Sequence, residues 1–250
     1  MAARIDNAFY RSSAWLLLVF LAAAVWAFWP SYFTRLFEQP SLRFHAHGVA
    51  LTLWCVLLVL QPQLLRTGRR RAHKLIGKAS YVFAPVLIAV TVSFVHYRIG
   101  GGGAVPGVTV LPAPVLYFLA LTLNSMVVFA LFYALAVYYR RNAQLHGRFM
   151  ACTVFPLFTP VTDRLIGAHW PSVVGLVPRI EGAPVLPVAG FLLADAILLV
   201  LAVWDWRANG RRVFAVALAA LAVYHVSTLT LYRVPAWNAF CAWFLSLPLS

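Results

Sequence analysis

Seven stretches of mostly apolar residues, each about 20 long and parted by links too short to fold alone, leave this chain few architectures. They fall at about 12–30, 44–65, 79–97, 114–139, 149–168, 184–206 and 213–232. Inside a bilayer every backbone amide must be satisfied within its own segment, which selects helices. The spacing therefore predicts an all-α, polytopic integral membrane protein with about seven transmembrane helices. Composition agrees. Of 250 residues, 63% are hydrophobic and 10% charged, whereas a soluble domain carries about 25% charged residues. The tail beyond Arg233, VPAWNAFCAWFLSLPLS, is short and aromatic and reads as an interfacial segment. Along the chain, residues 1–43 make a first helix and outer loop, 44–168 a four-helix membrane module, and 169–250 two further helices and the tail. With only short turns and a Gly-rich link at 100–107 between spans, any activity is expected in or at the membrane.

A net charge of +14 could suggest nucleic acid, but the basic residues sit in short turns beside lipid. Their ordinary work there is orientation and attraction to anionic headgroups, and no nucleic-acid partner is expected. Fourteen of the 20 lysines and arginines lie at the N-terminus and in the turns after the second, fourth and sixth spans. Five lie on the opposite side, and Arg164 is inside a span. The asymmetry places the N-terminus and the basic turns in the cytoplasm and the chain in a cytoplasmic (inner) membrane. The first span is too long for a signal peptide and runs into the aromatic belt AFWPSYF, as an uncleaved helix would. Cys55, Cys152 and Cys241 have no metal-like or disulfide spacing.

Two basic turns carry a similar phrase. Residues 69–81 read RRRAHKLIGKASY and residues 140–150 read RRNAQLHGRFM, each setting arginines and a histidine ahead of an apolar run. The second-to-third and fourth-to-fifth spans thus read as similar hairpins. Arginines at such a turn fix topology and snorkel, and an interfacial histidine alone is unremarkable. From about His47 to Ile166 the chain resembles a group of bacterial predicted membrane proteins of unknown function. Its residues His47, Gln61, the run from His73 to Tyr81, His146-Gly147-Arg148-Phe149-Met150 and Arg164 match that group's pattern in order and spacing. Gly147 and Phe149 depart from it, standing where the pattern has a basic residue and a tryptophan. The layout is also distantly similar to the four-helix core of the cytochrome b561 group, which implies haem b as a cofactor.

A bis-histidine haem needs two imidazoles on different helices at one depth. His73 and His146 form such a pair at the cytoplasmic edge, and His47 (or His45) with His96 forms a second near the outer edge. Against this, His73 and His96 lie about 34 Å apart along a helix, at or beyond the limits of a core about 30 Å thick. His45 and His47 also differ by about 200° around a helix, so only one can face the bundle.

A second constellation lies deeper. Asn124, Asp195 and His225 fall near mid-depth on the fourth, sixth and seventh spans, with Asp163 and Arg164 somewhat outward on the fifth. Ionisable residues in a span are costly and usually pair inside the bundle, so Arg164 is expected to be neutralised by Asp163 or Asp195. The fifth span also contains FPLFTP, whose Pro156 and Pro160 should break the helix beside a pocket. A zinc hydrolase built on His47, Asp195 and His225 is disfavoured, because no two ligands share a helix face. A retinal protein is excluded because Lys74 and Lys78, the only lysines, are in a turn. Two expectations follow. The first is a redox-type or haem-binding membrane protein with His47, His73, His96 and His146 as ligands. The second is a non-enzymatic protein that binds or moves a small ligand, or serves in assembly, with an intramembrane polar site of Asn124, Asp163, Arg164, Asp195 and His225.

Overall fold

The computed structural model describes residues 2–38, 41–101 and 110–249, with side chains from residue 12 onward. Its long helices are α1 (Ala2–Phe28), α2 (Leu42–Arg66), α3 (Arg70–Gly100) and α4 (Ala113–Tyr138). They are followed by α5 (Ala143–Cys152), α6 (Phe158–His169), α7 (Pro171–Val174), α8 (Pro187–Asn209), α9 (Val213–Thr230) and α10 (Pro235–Ser246). Six segments are long and apolar enough to cross a membrane: α2, α3, α4, the broken helix α5–α6, α8, and α9 extended to Arg233. The chain is a multi-pass membrane protein. In α1 the apolar part of the described residues, Ser12–Phe28, is shorter. At 12 residues, α10 rises about 18 Å, too little for a core about 30 Å thick. Most of the Gly-rich link lies outside the described residues.

Local chemistry sets the ends. The third helix starts nine residues before the expected apolar run, because the basic phrase from Arg70 is built of good helix formers. His73 is the fourth residue of α3 and His146 the fourth of α5. Their amides donate to Arg69 O (3.1 Å) and Asn142 O (2.9 Å), so the two phrases are structurally equivalent first turns. Asn142 caps α5 by accepting from the amides of Gln144 and Leu145. The β-hairpin Arg179–Ile180 and Ala183–Pro184 turns through Glu181 and Gly182, both with positive φ. The Glu181 carboxylate then accepts from the Ala113 amide at 3.2 Å, an acid at the N-terminus of α4.

The fifth crossing breaks at mid-length. Neither Pro156 nor Pro160 has an N–H to donate, and a 3-10 turn, Phe155–Leu157, joins α5 to α6. Thr153 closes the end of α5 by donating to Met150 O at 2.7 Å. It also accepts from the indole of Trp54 on α2 at 3.2 Å. Trp54 is fully buried among Phe83, Phe129 and Tyr133. The basic half α5 packs on α4 and α9, and the other half α6 packs on α8 and α1. The halves of the broken helix thus contact α1, α8 and α9 as well as α4. At the α6–α8 crossing Gly190 lets the backbones meet. A Cβ there would overlap Thr162 Oγ1 and lie 3.0 Å from Thr159 Cα. Small residues at such crossings provide the packing that lipid cannot drive.

Candidate functional site

Because successive long helices alternate in direction, the turns after α2, α4 and α8 share one end, called here the basic end. Just inside it sits an ion pair. Arg148 on α5 grips Asp205 on α8 bidentately, Nε to Oδ2 at 2.9 Å and Nη2 to Oδ1 at 2.7 Å, with both side chains buried. Arg148 Nη1 also donates to Gln144 O at 3.1 Å, and Asn209 Nδ2 donates to Asp205 Oδ1 at 2.8 Å. Arg211 donates to the Gln144 side chain. A bidentate, fully hydrogen-bonded pair is the one form in which buried charges are tolerable. Sequence reasoning missed it, treating Arg148 as an orientation charge. The available signal was Asp205, one of only six acidic residues, set in the last turns of a crossing among arginines.

Toward the other end, the half-helix α6 faces a different environment. Asp163 lies within electrostatic reach of Tyr117 on α4 and Tyr224 on α9, and Thr159 lies beside Tyr224 without a hydrogen bond of normal geometry. Thr228 stands one turn beyond Tyr224 on the same face of α9. The Tyr117 hydroxyl, Asp163 Oδ1, the Tyr224 hydroxyl and Thr228 Oγ1 are all buried with no hydrogen-bond partner among the described residues. Each such group costs about 1–3 kcal/mol when left unpaired. They come from three helices, α4, α6 and α9.

Arg164 does not join it. Successive residues on a helix point about 100° apart, and the guanidinium turns outward. It donates to Pro160 O at 2.9 Å and lies 4.1 Å over the ring of Phe28 on α1. The expected neutralisation of Arg164 by Asp195 is corrected: Asp195 Oδ2 meets His225 Nδ1 at 3.0 Å. Asp163 is the nearer carboxylate to Arg164, yet among the described residues it is not within ion-pair distance. His225 stacks on Phe191, with centroids 3.9 Å apart. Asn124 reaches Ser227 Oγ at 3.0 Å and so ties α4 to α9 without touching Asp195 or His225.

The histidine pairs fare differently. His47 Nδ1 meets Thr91 Oγ1 at 3.3 Å and its ring stacks on Phe94, with Arg164 in electrostatic reach. His96 is fully buried edge-on to Phe244 of α10. Five residues separate Thr91 from His96, which places them about 140° apart around α3. The contact of His47 with Thr91 and the ring of His96 therefore lie on different sides of that helix. His73 has the Gln61 backbone beside it and His146 in electrostatic reach, and His146 Nδ1 meets Ala136 O at 2.8 Å. Among the described residues no group of three or more His, Cys, Asp or Glu side chains could hold a metal ion. The cysteines are free and buried, and burial pushes the Cys241 thiol of α10 up to about 12.

The fold and these sites define a multi-pass α-helical membrane protein with two polar clusters inside it. No protein-family model, curated protein or solved structure matches the chain significantly.

Proposed function

We propose that this chain is a seven-helix protein of the cytoplasmic membrane that holds a small polar ligand inside its bundle. Its N-terminus and basic end would lie in the cytoplasm, with α1 as the seventh crossing. One observation carries the ligand reading: buried atoms of Tyr117, Asp163, Tyr224 and Thr228, on α4, α6 and α9, have no partner among the described residues, and Asp163 is in electrostatic reach of both phenols. The broken helix supports it, since interrupted helices border binding sites at membrane depth. The pocket chemistry is a carboxyl, two phenols and a hydroxyl, with the nearest guanidinium turned away. That set suits a ligand rich in hydrogen-bond donors, an amine or a polyol, better than an anion.

A transmembrane electron route is the weaker reading. Spanning a core about 30 Å thick calls for haems at both ends, with His47 and His96 as the outer pair. Histidines that address different sides of α3 do not suit a haem there.

The test is the unfolding midpoint of the purified protein titrated with ethanolamine, glycerol and acetate. Ethanolamine or glycerol is expected to raise the midpoint saturably, as a ligand of the native state must, and acetate to leave it unchanged. The rise should vanish in the Tyr117→Phe, Tyr224→Phe double variant. No rise with any probe, or a rise that survives the double substitution, would sink the proposal.

A further inference from the structure

Of the six crossings α3 is the least buried, and it lies against α2, α4 and α10. One of its faces stays exposed from the basic phrase into the apolar run and changes character on the way. Arg71, Lys74 and Lys78 come first, all exposed. At 3.6 residues per turn they fall within about 60° of one another and span about 10 Å of the helix axis. Tyr81, Val82 and Val86 continue that face, also exposed.

The three cations have no counter-charge. None makes a hydrogen bond or ion pair among the described residues. Asp205, the carboxylate described at this end, is held by Arg148 and Asn209, and the first turn of α3 contains no acid. In the neighbouring turns basic side chains are partly engaged: Arg140 donates to Val137 O at 3.3 Å, and Arg211 donates to the Gln144 side chain. Like charges one turn apart on a helix repel. Orientation needs positive charge only somewhere on that side of the membrane. It does not require three cations in line on the face that meets lipid.

We propose that this face of α3 binds one phospholipid with two phosphates, a lipid of the cardiolipin type. The phosphates sit on Arg71, Lys74 and Lys78, and acyl chains run along Val82 and Val86. A single phosphate does not reach cations spread over about 10 Å, whereas two phosphates joined by a glycerol bridge do. Basic clusters at the membrane edge of crossing helices suit such headgroups. Tyr81 stands where the face turns from basic to apolar, the level at which amphipathic rings settle. The site is independent of the polar groups around Asp163.

The experiment is native mass spectrometry of the delipidated protein in nonionic detergent, titrated with tetraoleoyl cardiolipin, dioleoylphosphatidylglycerol or pyrophosphate. One saturable cardiolipin adduct is expected, at least tenfold tighter than that of phosphatidylglycerol, with no pyrophosphate adduct. The triple variant Arg71→Gln, Lys74→Gln, Lys78→Gln should weaken it at least tenfold. The triple variant Arg140→Gln, Arg141→Gln, Arg212→Gln removes the same charge from other turns at that end and should leave it unchanged. Four results would overturn the site: equal affinity for the two lipids, a pyrophosphate adduct as strong as the lipid's, equal weakening in both triple variants, or displacement of the lipid by a polyglutamate peptide, which would mark an acidic protein as the partner. The comparison of the two lipids uses the wild type alone and stands even where a variant fails to fold.

Discussion

The two halves of the broken helix carry similar residues and treat them in opposite ways. In α5 the buried guanidinium of Arg148 has Asp205 and Gln144 O as partners, and Asp205 has Asn209 as well. In α6 the carboxyl of Asp163 keeps a buried oxygen with no partner, facing tyrosines that are also unpartnered. Polar groups in lipid are equally costly in both places. Where the charges are paired the cluster holds helices together, although Asn209 Oδ1 there keeps no partner among the described residues. Where a carboxyl and several hydroxyls are left over, the fold tolerates a larger cost that a bound partner would offset. The amount of hydrogen-bonding capacity left over, and not polarity itself, separates a strut from a candidate site.

The sharpest way to break this contrast is at the strut. Arg148→Met leaves Asp205 buried and unpaired, and should destabilise by about 3–5 kcal/mol, as loss of one partner of a buried pair does. The double variant Arg148→Met, Asp205→Leu should recover most of that in denaturant unfolding; failure to recover would mean the pair does more than hold α5 to α8. Next comes the α6–α8 crossing. Gly190→Ala places a methyl against Thr162 Oγ1 and the Thr159 backbone and should cost about 1–3 kcal/mol. Adding Thr162→Ala should return only part of it, since the backbone contact stays. Smaller again, His225→Leu removes one interhelical hydrogen bond, worth about 0.6 kcal/mol on average between membrane helices, plus the stacking on Phe191. In the pocket, Tyr224→Phe should change stability by less than about 1 kcal/mol in either direction, because no partner is lost with the hydroxyl. A large loss there would show the pocket to be a strut after all. The smallest expected effect concerns reactivity. With its thiol held near 12, Cys241 should resist maleimide at pH 8 until the protein unfolds. The same raised value means that any stability tied to this thiol is full below the ordinary thiol range and falls as pH climbs above it.

Much of this was legible in the chain. Apolar windows located α2, α4, α8 and α9 to within a few residues, because a crossing helix must be apolar for about 20 residues whatever it packs against. The repeated arginine-histidine phrase did mark equivalent first turns, and depth counting placed Asp195 and His225 at one level, where they meet. What escaped was rotation about the helix axis. Counting residues gives height, but whether Arg164 points at Asp163, Asp195 or Phe28 depends on how α6 turns after the break. His96 and His47 had matching heights and different azimuths for the same reason. Tyr117, Tyr224 and Thr228 were invisible, since a tyrosine or threonine in an apolar run gives no sign of a missing partner.

The last helix has a consequence for how the molecule is made. Phe244 and Leu245 of α10, with Cys241, complete a cluster with Val95 on α3 and Leu116 and Leu119 on α4, and Trp237 donates to Leu116 O at 3.0 Å. Asn238 accepts from the Leu111 amide at 2.9 Å, just ahead of α4. These contacts join residues more than 100 positions apart in the order of synthesis. A ribosome has therefore delivered α3 and α4 to the bilayer long before their covering exists, and His96 waits with its ring open to whatever lipid or chaperone lies beside it. The cover over α3 and α4 comes from α10, so a ribosome stalled before Pro235 would leave these two helices inserted and uncovered.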